Sequence, residues 1–371
     1  MPPCNDLRWP KAAFAFIKAA EQDASLLSGI GDNPFINRME RELEDVLGLP
    51  EQRVIAISSA TAGLVAALRG LGIGRGDEVI VPTYGWGQTL DPVLEVGAIP
   101  VFVDVEYGGV SLDLSQIEAA RTPHTKAILT AELFGIPLDW QRLDDISRLT
   151  GLFTIADAAQ SFGAIHKGPF PTAAVFSFGR GKLICGGEGG AVAAKSPEIY
   201  EAILIASQHP IRVLQNVETD LPFELVDSVA PNARIHPFAA TLVTAGIENF
   251  RKHWHQYNQV ISTTRERLTA AGFPPIAVPS DASQAPPVIP VLTKQPEALF
   301  DSCRGHGWQV EKRCRKPLVL SPTVVNGQYL PALGHLGSEP QQIAVRHTRR
   351  AYPQASVCAS GLFLVHPFAC V

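Results

Sequence analysis

The amino-acid sequence predicts an α/β protein with a mostly parallel central sheet, followed by a smaller C-terminal α+β domain. Three observations carry this expectation. Short apolar runs alternate with helix-period segments from Val54 to Ala156, the pattern of parallel strands covered on both faces. Ser59, Tyr84, Asp157 and Ser177 fall where such runs end, and sheets of this kind collect ligands at their strand ends. After about Ile247 the pattern changes to a long helical stretch, a proline-rich stretch and a mixed remainder. The large domain is accordingly expected over residues 1–249, with an N-terminal helical segment, and the small one over 250–371. A chain of 371 residues also exceeds one ordinary core.

The elements follow in order. Arg38–Leu47 alternates charged and apolar positions at helical spacing and reads as a surface helix, closed by the Leu49-Pro50 loop. Val54–Ser58 is a strand leading into Ser59-Ala60-Thr61-Ala62-Gly63 and a helix through Leu64–Leu68. A strand, a small-residue turn and a helix present free N–H groups beside hydroxyls, an arrangement suited to phosphate. Gly74–Asp77 is a turn, Glu78–Pro82 a strand, Thr89–Val96 a helix and Pro100–Asp104 a strand. Lys126–Ala131 and Leu152–Ala156 are further strands, with Leu138–Leu149 helical between them. Phe250–Ala271 is expected as a helix, and Val288–Leu292 as the first strand of the small domain.

Bulk properties narrow the function. Hydrophobic content of 46% against 18% charged residues describes a chain that buries much of itself. A net charge of -5 argues against nucleic acid or a membrane surface as partner. No run approaches a membrane span, and the N-terminus lacks an apolar signal core, so a cytoplasmic location is expected. The six cysteines (Cys4, Cys185, Cys303, Cys314, Cys358 and Cys370) form no CxxC pair, so neither a disulfide framework nor a metal site is expected.

The chemistry centres on Lys182, which lies 25 residues after Asp157 in a glycine-rich stretch. Pyridoxal 5'-phosphate needs a lysine to hold its aldehyde as a Schiff base, and a carboxylate to keep its ring nitrogen protonated. An Asp ending an apolar strand and a Lys in a glycine-rich turn supply both.

In this setting the chain resembles the DegT/DnrJ/StrS aminotransferases. The matching segments are Leu71–Pro82, Gly97–Asp104, Asp157-Ala-Ala-Gln160-Ser-Phe-Gly163, and Lys182 followed by Gly187-Glu188-Gly189-Gly190. The resemblance runs from about Asp32 to Asn249 and returns weakly at Tyr352–Phe368. It implies a fold-type I, aspartate-aminotransferase-like transferase that uses pyridoxal phosphate. It also implies that Lys182 carries the cofactor and shuttles protons, that Asp157 pairs with the ring nitrogen, and that Gln160 meets the ring oxygen. Trp86 would stack on the ring, and Ala60, Thr61 and Ser177 would cup the phosphate. Asn232 matches an asparagine that reaches the other subunit's cofactor, which implies a homodimer with shared active sites.

The departures bear on the substrate. Glu132 stands where the family commonly has His, Leu183 follows the lysine, and Gln208-His209-Pro210 replaces the usual His-Gly. Arg180, Glu132 and His209 are therefore the expected substrate contacts, Arg180 because a guanidinium holds a carboxylate or phosphate bidentately. The expected reaction moves an amino group from an amino acid, glutamate foremost, to a keto-sugar or cyclitol ketone. A lyase or dehydratase reaction on a non-sugar substrate, and a non-catalytic binding protein, are the alternatives.

Overall fold

A computed structural model of the chain describes residues 8–164, 169–217, 232–278, 288–312 and 352–367, with a few isolated positions between 318 and 347. Cys4, Cys314, Cys370 and Phe368 lie outside the described residues.

The central sheet is built from seven strands. They are β1 (Val54–Ile57), β2 (Glu78–Pro82), β3 (Ile99–Val103), β4 (Thr125–Ala131), β5 (Phe153–Asp157), β6 (Ala173–Ser177) and β7 (Gly190–Ala194). Their spatial order is β1-β7-β6-β5-β4-β2-β3, and the two residues Arg346–His347 pair beyond β3. All neighbouring pairs are parallel except those of β7, which runs antiparallel to both β1 and β6. The strands are almost continuously buried, as expected of a sheet covered on both faces. The sequence placed Ser177 at a strand end without bounding its strand, and β7 is an addition to the strands read from it. The runs of β6 and β7, Ala173-Ala-Val-Phe-Ser177 and Gly190-Ala-Val-Ala-Ala194, are dominated by small residues that carry little strand signal.

Helices cover the sheet, and most of them start at a side-chain cap. They are α1 (Arg8–Gln22), α2 (Pro34–Leu47), α3 (Ala60–Gly70), α4 (Gly87–Glu95), α5 (Ile117–Ala120), α6 (Trp140–Thr150), α7 (Pro197–Ser207) and α8 (Pro210–Asn216). In α2 the Asn33 side chain accepts from the N–H of Phe35 and Ile36, Pro34 occupies the first turn, and Gly48 ends the helix at φ 66°. No helix among the described residues is long and apolar enough to cross a membrane.

The helix expected from Phe250 starts earlier. As α9 it spans Pro237–Ala270, 34 residues, with the His236 side chain capping its first turn. Its buried positions continue from Ala240, Val243 and Ile247 through Tyr257, Ile261 and Leu268, with no proline between to interrupt the period. Position 249/250 therefore lies inside one uninterrupted helix. Its C-terminal end meets the small domain, where Arg265 Nη2 donates to the Ile276 carbonyl at 2.7 Å. There β8 (Ile289–Leu292) and β9 (Gln309–Lys312) flank β10 (Leu362–His366) in an antiparallel sheet. The helices α10 (Pro296–Arg304) and α11 (Pro353–Gly361) complete the unit.

Candidate active site

The strand ends and the first turn of α3 enclose two adjoining cavities of about 300 and 280 Å³. Trp86, Gln160, Ser177, Arg180 and Lys182 line both. Ser59, Ala60, Thr61 and Asp157 belong to the first. Residues separated by up to 123 positions are thus brought together because parallel strands deliver their C-terminal ends to one edge of the sheet.

Asp157 is the last residue of β5. Thr89 Oγ1 donates to its Oδ2 at 2.6 Å, and the Ala159 N–H donates to Oδ1 at 3.2 Å. Burial pushes the Asp157 carboxyl above its usual range, against the pull of these two donors and of the Lys182 cation. Lys182 sits in a reversed turn between β6 and β7, where its N–H donates to the Gly179 carbonyl at 3.3 Å. Gly181 at φ 83° and Gly187 at φ 86° make the reversal. Burial lowers the proton affinity of the Lys182 amine, and the charge of Asp157 partly restores it.

The first turn of α3 is prepared for an anion. Ser59 Oγ accepts from the Ala62 N–H at 3.1 Å. That leaves the N–H groups of Ala60 and Thr61, at the open end of the helix, on the cavity wall beside Ser177. Gln160 Oε1 accepts from the Phe134 N–H at 2.9 Å. Phe134 itself is held at φ 58°, ψ 24°, a left-handed conformation that costs an aromatic residue about 1–2 kcal/mol. Such a turn persists because its surroundings over-determine it.

Apart from Leu183, which follows the lysine, the second cavity holds residues that the sequence did not single out. Phe134, Phe162, Leu183, Val288 and Leu364 give it largely apolar walls, and His366 faces it from the small domain. His366 Nε2 lies 3.6 Å from Glu311 Oε2. No local pattern marks these positions, since they come from different elements of both units. Arg180 is exposed at this cavity.

Two expected substrate contacts sit differently. His209 does not line either cavity; its Nδ1 accepts from the Ile211 N–H at 3.2 Å and caps α8. Glu132 borders the first cavity but is only 1% exposed. Its Oε1 accepts from Trp140 Nε1 at 2.7 Å and from the Leu138 N–H at 3.4 Å, and its Oε2 accepts from Ser161 Oγ. Asn232 is exposed at φ 48° and is absent from the lining of both cavities, although its neighbour Ala233 bonds through the backbone to Ser58 and Ser207.

Residues 17–326 match the model of the DegT/DnrJ/EryC1/StrS aminotransferase family. The chain belongs to that family. The match extends beyond the Asp32–Asn249 stretch in which the motifs lie. The chain is 31% identical over 305 residues to the dTDP-3-amino-3,4,6-trideoxy-alpha-D-glucose transaminase of Streptomyces venezuelae, covering 80% of this chain and 77% of that one. Among solved structures, DesV of S. venezuelae superposes with a TM-score of 0.72 at 25% identity over 97% of this chain and 92% of that one. A DegT/DnrJ/EryC1/StrS aminotransferase from Brucella abortus gives a TM-score of 0.78 at 22% identity, over 97% and 92% of the two chains. The fold is that of the fold-type I enzymes, and pyridoxal phosphate is the cofactor of the family.

The donor set of this chain fits that cofactor. A buried carboxylate, an amine of lowered proton affinity and an open helix terminus surround one cavity. Bound there, pyridoxal phosphate supplies an electron sink for the carbon bearing the amine. Lys182 would hold its aldehyde, Asp157 its ring nitrogen, and Ala60, Thr61 and Ser177 its phosphate.

The Lys182 environment makes a pH prediction. Only the neutral amine captures an aldehyde, so the capture rate of apoprotein rises as pH passes the Lys182 pKa. That inflection is expected below the 10.5 of an ordinary lysine, because burial disfavours the ammonium form. Removing the Asp157 charge by Asp157→Asn removes the influence that raises the Lys182 pKa, so the inflection should move lower still. Stopped-flow absorbance across a pH series measures both; an inflection at or above 10.5 in the wild type contradicts the burial argument.

Proposed function

We propose that this chain is a sugar aminotransferase that moves an amino group from an amino acid, glutamate foremost, to the ketone of a keto-sugar. The carrying observation is Lys182 and Asp157 on one cavity with the open turn of α3. A nucleotide-linked sugar is the favoured acceptor, since the curated relative from S. venezuelae is named for a dTDP-linked aminotrideoxyglucose; a cyclitol ketone is the nearest variant. Donor and acceptor occupy the same site in turn, which calls for ping-pong kinetics.

The residue roles on this reading follow from their surroundings. Lys182 moves the proton between substrate carbon and cofactor, helped by a buried position that favours its neutral form. Trp86 offers an aromatic face to the ring, and Gln160, whose Oε1 accepts from the Phe134 N–H, has its amide N–H to offer the ring oxygen. Arg180, exposed at the second cavity, supplies a cation for the donor carboxylate or a sugar-linked phosphate. Asn232, exposed and outside the chain's own cavity, is available to a second copy, in keeping with a homodimer that shares its sites.

The test is a panel of amino donors and keto-sugar acceptors read by mass spectrometry. Purified protein should be yellow, and glutamate alone should change its absorption before any acceptor is added. Initial rates at several fixed acceptor concentrations should give parallel double-reciprocal lines. A colourless protein that takes up no pyridoxal phosphate rules out this reading. A coloured one that responds to no amino donor favours a lyase or dehydratase instead.

A further inference from the structure

We propose that Glu132 is a positioning residue that holds the turn after β5, and through it the cofactor ring, in place. The inference rests on the reading above, in which Asp157 and Gln160 contact the ring.

Glu132 directly follows β4, and its N–H donates to the Asp157 carbonyl at 3.0 Å, so it is bonded to the end of the neighbouring strand. Its carboxylate then reaches in two directions. Oε1 accepts from the Leu138 N–H, just before α6, and from Nε1 of Trp140, the first residue of α6. Oε2 accepts from Ser161 Oγ, four residues past Asp157 and one past Gln160. Ser161 is 2% exposed, and its N–H closes the turn on the Ala158 carbonyl at 3.1 Å. The Asp157–Ser161 turn is therefore held at its first residue by a backbone bond and at its last by the Glu132 side chain. Gln160 lies inside that clamp and is itself bonded to the Phe134 N–H, in the strained turn that begins just after Glu132.

The residue type follows from the donors. An indole N–H only donates, and the Ser161 hydroxyl directs its hydrogen to a second acceptor on the same side chain. A forked side chain with two acceptor atoms serves both, whereas a neutral imidazole has one acceptor nitrogen. With both oxygens engaged inside the protein, Glu132 acts on the site through Ser161 and Asp157 rather than by contacting substrate.

Three variants test this: Glu132→Ala, Glu132→Gln and Ser161→Ala, each titrated as apoprotein with pyridoxal phosphate and followed by thermal melting. Glu132→Ala and Ser161→Ala should each weaken cofactor binding about tenfold, the scale of a lost bond to a buried charge. Glu132→Gln should stay within about threefold, because its Oε1 still accepts from Trp140. Its Nε2 donates to Ser161 Oγ, whose hydrogen then turns to the Ala158 carbonyl 3.4 Å away. If Glu132→Ala proves insoluble, Ser161→Ala breaks the same bond from its other end. A lowered melting temperature with unchanged cofactor affinity in both truncations overturns the inference, as does a Glu132→Gln loss equal to that of Glu132→Ala. A raised KM for the acceptor alone would restore Glu132 as a substrate contact. Gln160→Ala separates this inference from the reading beneath it. A cofactor loss in Gln160→Ala but not in Glu132→Ala sinks the inference alone; no loss in either also sinks the placement of the ring beside that turn.

Discussion

Replacing Lys182 with Ala is expected to leave a folded protein with transamination reduced by about 10⁴-fold or more, the scale seen when a nucleophile that also transfers protons is removed. Two functions vanish together, since among the described residues no other lysine lines either cavity. The fold should survive because Lys182 lies on the turn between β6 and β7, and its side chain makes no hydrogen bond to the other described residues. Loss of the amine removes an ammonium that burial disfavours but also the cation beside the buried Asp157, so the melting temperature of apoprotein should change little. Absorption of the reconstituted variant should show the spectrum of free cofactor. A variant that retains the wild-type band, or that loses activity only by unfolding, contradicts the assignment.

The second large effect is on stability and lies away from the cavities. Arg212 on α8 is 2% exposed and pairs with Glu40 of α2, which is 8% exposed. Glu40 Oε1 also accepts from the Ala56 N–H at 2.7 Å, and Arg212 Nη1 donates to Gln208 Oε1 at 3.2 Å. The pair therefore ties α2, β1 and α8 together. Arg212→Ala would strand a carboxylate inside the protein and is expected to cost about 3–5 kcal/mol. Urea denaturation followed by circular dichroism reads this directly. Adding Glu40→Gln to Arg212→Ala should recover a large part of the loss, because the amide still accepts from Ala56 without an unpaired charge. A single variant within about 1 kcal/mol of wild type would mean that the pair is solvated and contributes little.

These two residues differ in how visible they are to a reader of the sequence. Lys182 is legible because cofactor chemistry demands few residue types, and a lysine amid Gly179, Gly181 and Gly186 stands out beside an Asp that ends an apolar run. Arg212 gives no such sign, since a single arginine on a short helical run reads as surface. The same contrast holds among the expected substrate contacts. Arg180 does face the cavity, whereas His209 spends its ring nitrogen on the first turn of α8. Glu132 lies at the site but is turned inward to Trp140 and Ser161, eight and 29 residues away.

The sequence by itself determined the alternation of strands and helices, the edge of the sheet where a ligand site is expected, and a lysine and a carboxylate suited to the cofactor. Those depend on local period and residue type, which survive in one dimension. Only the tertiary structure decided that β7 runs antiparallel, that α9 continues through position 249, and that His366 reaches the second cavity. It also decided which side chains Glu132 and Arg212 satisfy. Hydrogen-bond partners and burial are relations between distant segments, and no local pattern records them.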